Sequence, residues 1–429
     1  MSTEVKLGTR HALRVLRSAP FRRYIIGSAI SDTGTWAQVW AQAWVMTTLT
    51  TSALMLGLVN LCAGLPMLAL TMVGGSAADR FDKRKILLIT QYLQIGIAIS
   101  IGLLVWSGKI AIWQVFIFAA IQGLSNSFEM PTLNAFVPEL VKRDEIQSAI
   151  SVDRTVFHGS RMIGFSLSGI LISALGMASA FFVNAISFVA FIIALFTIPR
   201  RARGTVEEEE KRTSGIKDGF RYVAQDKPSL AMTGLIAATT VLIFPIITVM
   251  MPLYGKLVLH LAADRVGFLM GASAVGSIVG AIFLISIPRG KRVPIMMANV
   301  CIVACAIFGL SRAPSFYLAT ALLIFNSLGL AMNFGLANTI VQERAPDYLR
   351  GRVSAVFMLS FVGLMPVAGL GITGLSDLIG MRTALAIAAV CYAVIALFVL
   401  ARVRRQCSEP GICEVKSDKA PAPPVAAAV

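Results

Sequence analysis

The chain has 429 residues, 56% of them hydrophobic and 14% charged, and its mean hydropathy is +0.77. Soluble domains are about 45–50% apolar and about 25% charged, so a water-soluble fold is excluded. The formal charge of +16 is spread over short segments instead of being gathered on one soluble domain, which excludes nucleic-acid binding and marks the cations as topology signals.

The apolar residues arrive in uninterrupted blocks of the length that reads as a membrane helix, and nowhere in the ten-residue alternating segments of a membrane barrel. With about 20 residues needed per crossing, the blocks predict helices over 24–46, 53–75, 86–106, 112–135, 154–175 and 178–199. A second set is predicted over 229–254, 266–288, 294–312, 315–338, 353–376 and 380–402. The expected fold is an all-α membrane protein of twelve transmembrane helices in two six-helix, pseudo-repeated bundles. Its divisions are an N-terminal segment (1–23), a first bundle (24–199), a linker (200–228), a second bundle (229–402) and a disordered tail (403–429). Residues 1–22 lack an apolar stretch followed by a small-residue cleavage site, so the first helix is expected to act as an uncleaved signal anchor.

Within the linker, 216–224 is expected to form an interfacial helix. Lys and Arg dominate the N-terminus, the 80–85 segment, Lys142 and Arg143, the linker, 289–292, 344–352 and the tail. These all fall on one side, which predicts that both termini are cytoplasmic. NAFVPE at 134–139 and NTIVQE at 338–343 each follow the fourth helix of their half, as expected of an internal repeat.

The second and third predicted helices are joined by GSAADRFDKRK, 75–85, a cluster too charged for any core. Gly75, Asp79, Arg80, Lys83 and Arg84 fall on the pattern G-x-x-x-D-R-x-x-(R/K)-(R/K), and here the chain resembles major facilitator superfamily transporters. The resemblance implies a cytoplasmic gating loop whose Asp79 and neighbouring cations latch onto the other half in the outward-open state. Asp82 stands where that family often has Gly.

Charges inside a bilayer cost at least about 2.5–3.5 kcal/mol each, so Asp32, Glu129 and Arg161 need partners or a water-filled cavity. They are the proton-coupling candidates. Asp32, Trp36 and Trp40 follow i, i+4, i+8 on one helix face, which suits either a large amphipathic solute or an interfacial aromatic belt. Gln122, Asn126 and Glu129 form a polar stripe on helix four, and Glu129 is expected to pair with Arg161 either as a packing device or as a protonatable switch. Asn326 and Asn333 share a face of helix ten, as cavity donors or as interhelical glue. The cavity candidates are therefore Trp36, Trp40, Gln122, Asn126, Asn326 and Asn333. Pro245 and Pro252 predict bending in helix seven, and Gly164 and Gly169 predict close packing by helix five.

FRRYIIGSAISDTGTWAQ, NAFVPELVKRDEIQSAIS, FFVNAIS and QERAPDYLRGRVSAVFMLS extend the resemblance to the bacterial branch holding enterobactin-type siderophore exporters and macrolide efflux pumps. The resemblance implies a proton-coupled antiporter in the bacterial inner membrane, exporting a siderophore or lipophilic drug by alternating access; the alternatives are an importer or lipid flippase on the same fold, or a membrane receptor or assembly factor that does not transport. The expected partners are a small-molecule substrate, protons and the lipid bilayer, with the chain acting as a monomer and binding no nucleic acid. No phosphate loop, nucleophile–base pair or metal pattern is present, so neither ATP, nor a cofactor, nor enzymatic chemistry is expected. His158 is alone on helix five. Cys62, Cys301, Cys305 and Cys391 lie in apolar blocks as small hydrophobes, and Cys407 and Cys413 match no zinc spacing.

Overall fold

A computed structural model describes residues 13–199, 216–284, 287–346 and 348–407, and these form twelve long helical segments with no strand among them. In hydrocarbon every backbone N–H and C=O must be paired within its own segment, which leaves the helix as the structure for these blocks. The first six are α1 (Ala19–Leu49), α2 (Ala53–Arg80), α3 (Lys83–Trp106), α4 (Ile112–Phe136), α5 (Ile146–Leu175) and α6 (Ser179–Thr197). The second six are α7 (Lys227–Leu257), α8 (Ala263–Leu284), α9 (Arg292–Arg312), α10 (Phe316–Arg344), α11 (Arg350–Ile379) and α12 (Met381–Cys407).

Nine of the described helices are both long and apolar enough to cross a membrane. The other three, α1, α4 and α5, have 31, 25 and 30 residues, so length does not disqualify them. They are the helices that carry Asp32, the Gln122–Asn126–Glu129 stripe and Arg161. Their polarity is concentrated where a transport site was expected.

Two expected boundaries are corrected. The stretch read as a gating loop is mostly helix: Gly75, Asp79 and Arg80 lie in the last turns of α2, and only Phe81 and Asp82 separate it from α3. Asp82 caps α3, its Oδ1 accepting from the Arg84 N–H at 2.9 Å, which gives a physical role to its departure from the family glycine. Helix α5 begins at Ile146 instead of 154, because a polar helical stretch continues past the apolar block that set the ruler. The helix expected at 216–224 is present as Ile216–Gln225. The rest of the linker before it, the first twelve residues and the tail from 408, including Cys413, lie outside the described residues.

Each set of six packs as a bundle. In the first, α1 packs on α5 and α6, α2 on α4, and α3 on α4 and α6; in the second, α8 packs on α10, α9 on α10 and α12, and α7 on α10 and α12. The bundles meet through α2 against α11, α5 against α8, and α7 against α1 and α2. Gly164 lets α5 approach α1 so closely that a Cβ would sit 2.6 Å from the Thr33 carbonyl oxygen, and one at Gly169 would sit 2.9 Å from that of Ala263 on α8. Two of the three second-half helices at the bundle interface contain a π-turn: Ile246–Met250 in α7, between Pro245 and Pro252, and Leu359–Gly363 in α11, just before Pro366. Proline removes a backbone donor, and a π-turn re-spaces the ladder around the gap.

The linker helix is held to the second bundle. Tyr222 donates to the Arg344 carbonyl at 2.6 Å, and Asp218 lies 3.4 Å from Arg352. Asp226, which caps α7 by accepting from the Ser229 N–H at 3.1 Å, takes a two-pronged grip from Arg344 on α10 at 2.6 and 2.8 Å. Burial alone would push the Asp226 carboxyl up, but the hydrogen bonds from Arg344 and Ser229 outweigh it and hold the group below the usual carboxylate range.

Candidate substrate and coupling site

The bundles close against each other at the face opposite the linker helix, here the far face. Asp377, near the end of α11, receives the first turn of α2: its Oδ1 accepts from Ala53 N–H at 2.7 Å and its Oδ2 from Leu54 N–H at 3.1 Å and from the Ser52 hydroxyl. Lys256 at the end of α7 donates to the Thr47 carbonyl of α1 at 2.7 Å and stands 5.8 Å from the Trp44 ring. Deeper in, the Asn60 amide donates to the Met365 carbonyl at 3.3 Å. The α5–α8 contact starts at the far ends, with Gly169 against Ala263 and Gly267, and runs inward to Gly271, which packs on Ser166 and Met162 beside Arg161.

On the linker side of that closure the expected charges sit near mid-helix. Asp32 is half-buried and accepts from Ser28 Oγ at 2.9 Å, one turn back along α1. Glu129 accepts from Gln91 Nε2 at 2.7 Å and from Gln94, both on α3 and both buried. Arg161 lies over the Trp36 ring, its guanidinium carbon 5.6 Å from the centroid, and Phe157 and Phe165 meet the same ring edge-on at 5.5 Å. The expected Glu129–Arg161 pair is therefore not formed. Two glutamines one turn apart on α3 satisfy the carboxylate, while the close α1–α5 approach at Gly164 puts Arg161 on Trp36 instead.

The other candidates divide by burial. Trp36 and Asn126 are half-buried, whereas Gln122 is buried and Trp40 is enclosed in the core, its ring tilted 43° to that of Trp44 with centroids 5.8 Å apart. Asn326 and Asn333 are fully buried inside the second bundle; no hydrogen-bond partner engages the Asn326 amide among the described residues, and Asn333 stands beside the Tyr392 hydroxyl.

The motif residues occupy the linker-side corner of the first bundle. Lys83 Nζ is 2.6 Å from Glu139 Oε1, and Arg84 donates to the Ile198 carbonyl at 3.2 Å and lies over Phe196. Asp79 and Arg80 are exposed in the last turn of α2, and a Cβ at Gly75 would meet open space. The second bundle repeats the arrangement, with Arg292 2.8 Å and Arg289 3.5 Å from Glu343. Glu139 and Glu343 are the last residues of NAFVPE and NTIVQE, so the short sequence repeat marks equivalent carboxylates that receive cations from equivalent loops.

Sequence reasoning missed Gln91 and Gln94, whose three-residue spacing in an otherwise apolar helix was the available signal. It also missed the Tyr24–Asp153 hydrogen bond at 3.0 Å and the Gln38–Asn184 bond at 2.8 Å between α1 and α6. Those pairs cross between helices, and no local pattern announces them.

The family described as transmembrane secretion effector matches residues 11–429. An uncharacterized MFS-type transporter, YfiS of Bacillus subtilis, is 29% identical over 223 residues, 51% of this chain, and the chain spans about half (52%) of that relative's length. The staphyloferrin A transporter of Staphylococcus aureus is 24% identical over 83% of this chain and 90% of its own length. The multidrug efflux pump Tap of Mycobacterium tuberculosis is 25% identical over 78% and 82%. Among solved structures, a bacterial homologue of the lysosomal transporter Spinster in an inward-facing, occupied conformation superposes with a TM-score of 0.70 at 13% identity, covering 91% of this chain and 97% of that one. That likeness concerns the fold.

Proposed function

The chain belongs to the transmembrane secretion effector family, a family of multi-pass major facilitator transporters, and we propose that it exports a small organic solute across the bacterial inner membrane in exchange for protons. The observation that carries this reading is the placement of Asp32, Glu129 and Arg161 near mid-helix, on the open side of a closure made by α2–α11 and α5–α8. Charges at that depth need partners or a water-filled cleft; none of the three has an ion-pair partner among the described residues and each is only half-buried, and a cleft closed at one end only is one state of an alternating-access cycle. The names of the relatives, a siderophore transporter and a multidrug efflux pump, support export and place siderophores and lipophilic drugs among the solutes to test.

On the basic-loop argument the linker face is cytoplasmic, which makes this the inward-open state. Solute enters the cleft from the cytoplasm; separation of Asp377 from α2 and of Lys256 from α1 opens the far face; a proton then binds Asp32 or Glu129 from outside and is released inside. Coupling requires that the carboxylate bind the proton with different affinity in the two states. Glu129 meets that requirement if movement of α4 against α3 changes its access to Gln91 and Gln94. In the outward-open state the Asp79 corner is the element expected to close the cytoplasmic face. Uptake of labelled solute into inside-out vesicles under an imposed proton gradient tests the reading, with Asp32→Asn and Glu129→Gln as the variants that uncouple it.

A further inference from the structure

Helix α5 presents two different sides to its surroundings. Ile163 and Ile170, seven residues apart, are 54% and 46% exposed, the apolar face that lipid demands. Arg154, His158 and Arg161 follow i, i+4, i+7 and share another face, about 200° around the helix from Ile163 if Arg161 is compared with it at about 100° per residue. Arg154 and His158 are exposed and Arg161 is half-buried. The face between the α1 contact at Gly164 and the α8 contact at Gly169 is thus a basic stripe, rising about 10 Å along the helix from Arg154 to Arg161.

No carboxylate among the described residues lies within ion-pair distance of these three side chains. The nearby acids are engaged elsewhere: Asp32 with Ser28, Glu129 with Gln91 and Gln94, and Asp153 with Tyr24. Arg154 is oriented by Asn134, to whose Oδ1 it donates at 2.6 Å, and Arg161 is oriented by the Trp36 face. A guanidinium stacked on an aromatic ring keeps its planar N–H fork for a carboxylate or phosphate. Two guanidinium charges with an imidazole between them raise the energy of the empty site, and an anion that takes the guanidinium forks and the imidazole N–H relieves it. On the second bundle Phe244, Phe334 and Phe361 of α7, α10 and α11 form a half-buried aromatic group, with centroids 4.8 and 5.1 Å apart.

We infer that Arg154, His158 and Arg161 form a cationic track that takes the acidic groups of the transported solute, which is an organic anion with an apolar or aromatic body. This rests on the reading of the cleft as the solute site, not on the direction of transport or its coupling to protons. Arg161 is then a binding residue and not a proton carrier, since a guanidinium does not titrate in the working range.

The test uses two dyes on one xanthene scaffold, 5-carboxyfluorescein as the anion and rhodamine 6G as the cation, with fluorescence polarisation on the full chain purified in detergent. Carboxyfluorescein is expected to bind, about tenfold more weakly to Arg161→Gln and several-fold more weakly to Arg154→Gln, with Arg161→Lys recovering part of the loss. Rhodamine 6G binding should be unchanged or stronger in the same variants. A monodisperse gel-filtration profile for each variant separates lost binding from lost folding. No saturable carboxyfluorescein binding to the parent, or binding that is indifferent to Arg161→Gln in a folded protein, overturns the proposal. Anion binding that depends on Arg161 without proton-driven flux leaves this site standing while the exporter reading fails.

Discussion

The Asp377 carboxylate of α11 caps the first turn of α2 across the bundle interface, with Oδ1 2.7 Å from the Ala53 nitrogen. The first N–H groups of a helix have no partner within it; Ser52 caps locally by accepting from Met55 N–H at 3.4 Å, and the acid from the opposite bundle satisfies the Ala53 and Leu54 N–H groups that this cap leaves. Because Asp377 belongs to the other half, its part of the cap exists only while the far face is closed. Asp377→Ala should shift the population toward the open far face by about tenfold to a hundredfold, corresponding to the loss of a charge-assisted hydrogen bond worth about 1.5–3 kcal/mol. Maleimide labelling of Asn60→Cys in a background without other cysteines checks this, with faster labelling from the far face as the expected result and an unchanged rate as the contrary one.

The two corner clasps should differ in strength. Lys83 and Glu139 are 22% and 46% exposed, whereas Arg292 and Glu343 are 15% and 30% exposed. An exposed pair contributes about 0–1 kcal/mol, and a more enclosed arginine fork contributes more. Glu343→Gln should therefore lower stability by about 1–2 kcal/mol and Glu139→Gln by less than about 1 kcal/mol. Thermal unfolding of both variants in the same detergent measures the difference, and equal shifts would remove the argument from burial.

The Asp226–Arg344 tie carries a pH signature. Its carboxyl is held below the ordinary value in the folded chain, so the folded state binds fewer protons there than the unfolded state does. The stabilisation is complete above the ordinary carboxylate range, near pH 4, and is lost as pH falls through the lowered folded value. Asp226→Asn should cost about 1–3 kcal/mol at neutral pH, and the gap between parent and variant should narrow only below about pH 4. A gap that is constant from pH 7 to pH 3 would contradict the assigned role.

The amides around Glu129 should separate stability from coupling. Gln91 and Gln94 satisfy the carboxylate, so Gln91→Leu together with Gln94→Leu leaves it without partners, at a cost of about 1–3 kcal/mol. Combining that double variant with Glu129→Leu should restore stability, because an apolar set of similar shape is close to neutral, yet leave proton-driven flux abolished. Restored flux in the triple variant would move the coupling role to Asp32.

The helices were legible because a bilayer imposes a length and a polarity that the chain states openly in its apolar blocks. Helix ends were legible where Gly or a charge cluster stops the pattern, as at Gly176 and Gly380, whose φ values are +86° and +85°, and illegible where a helix continues in polar residues, as at Ile146. Asp32, Glu129 and Arg161 could be singled out because charge in an apolar block is costly. Their partners could not, since Gln91 and Gln94 lie on a different helix and the Glu129–Arg161 pairing was inferred from opposite sign without knowledge of the α3–α4 and α1–α5 contacts. Trp40 shows the same limit: its spacing from Asp32 and Trp36 is correct for one face, but over eight residues the face turns from the cleft into the core.

Proton-driven export is tested most directly in inside-out vesicles carrying the chain, by imposing an acid-inside gradient and following uptake of a labelled carboxylate siderophore and a labelled macrolide. Gradient-dependent uptake of either solute, abolished by Asp32→Asn or Glu129→Gln in a protein that remains folded and inserted, is the predicted result. Uptake that persists after the gradient is collapsed, or that neither substitution changes, would contradict it.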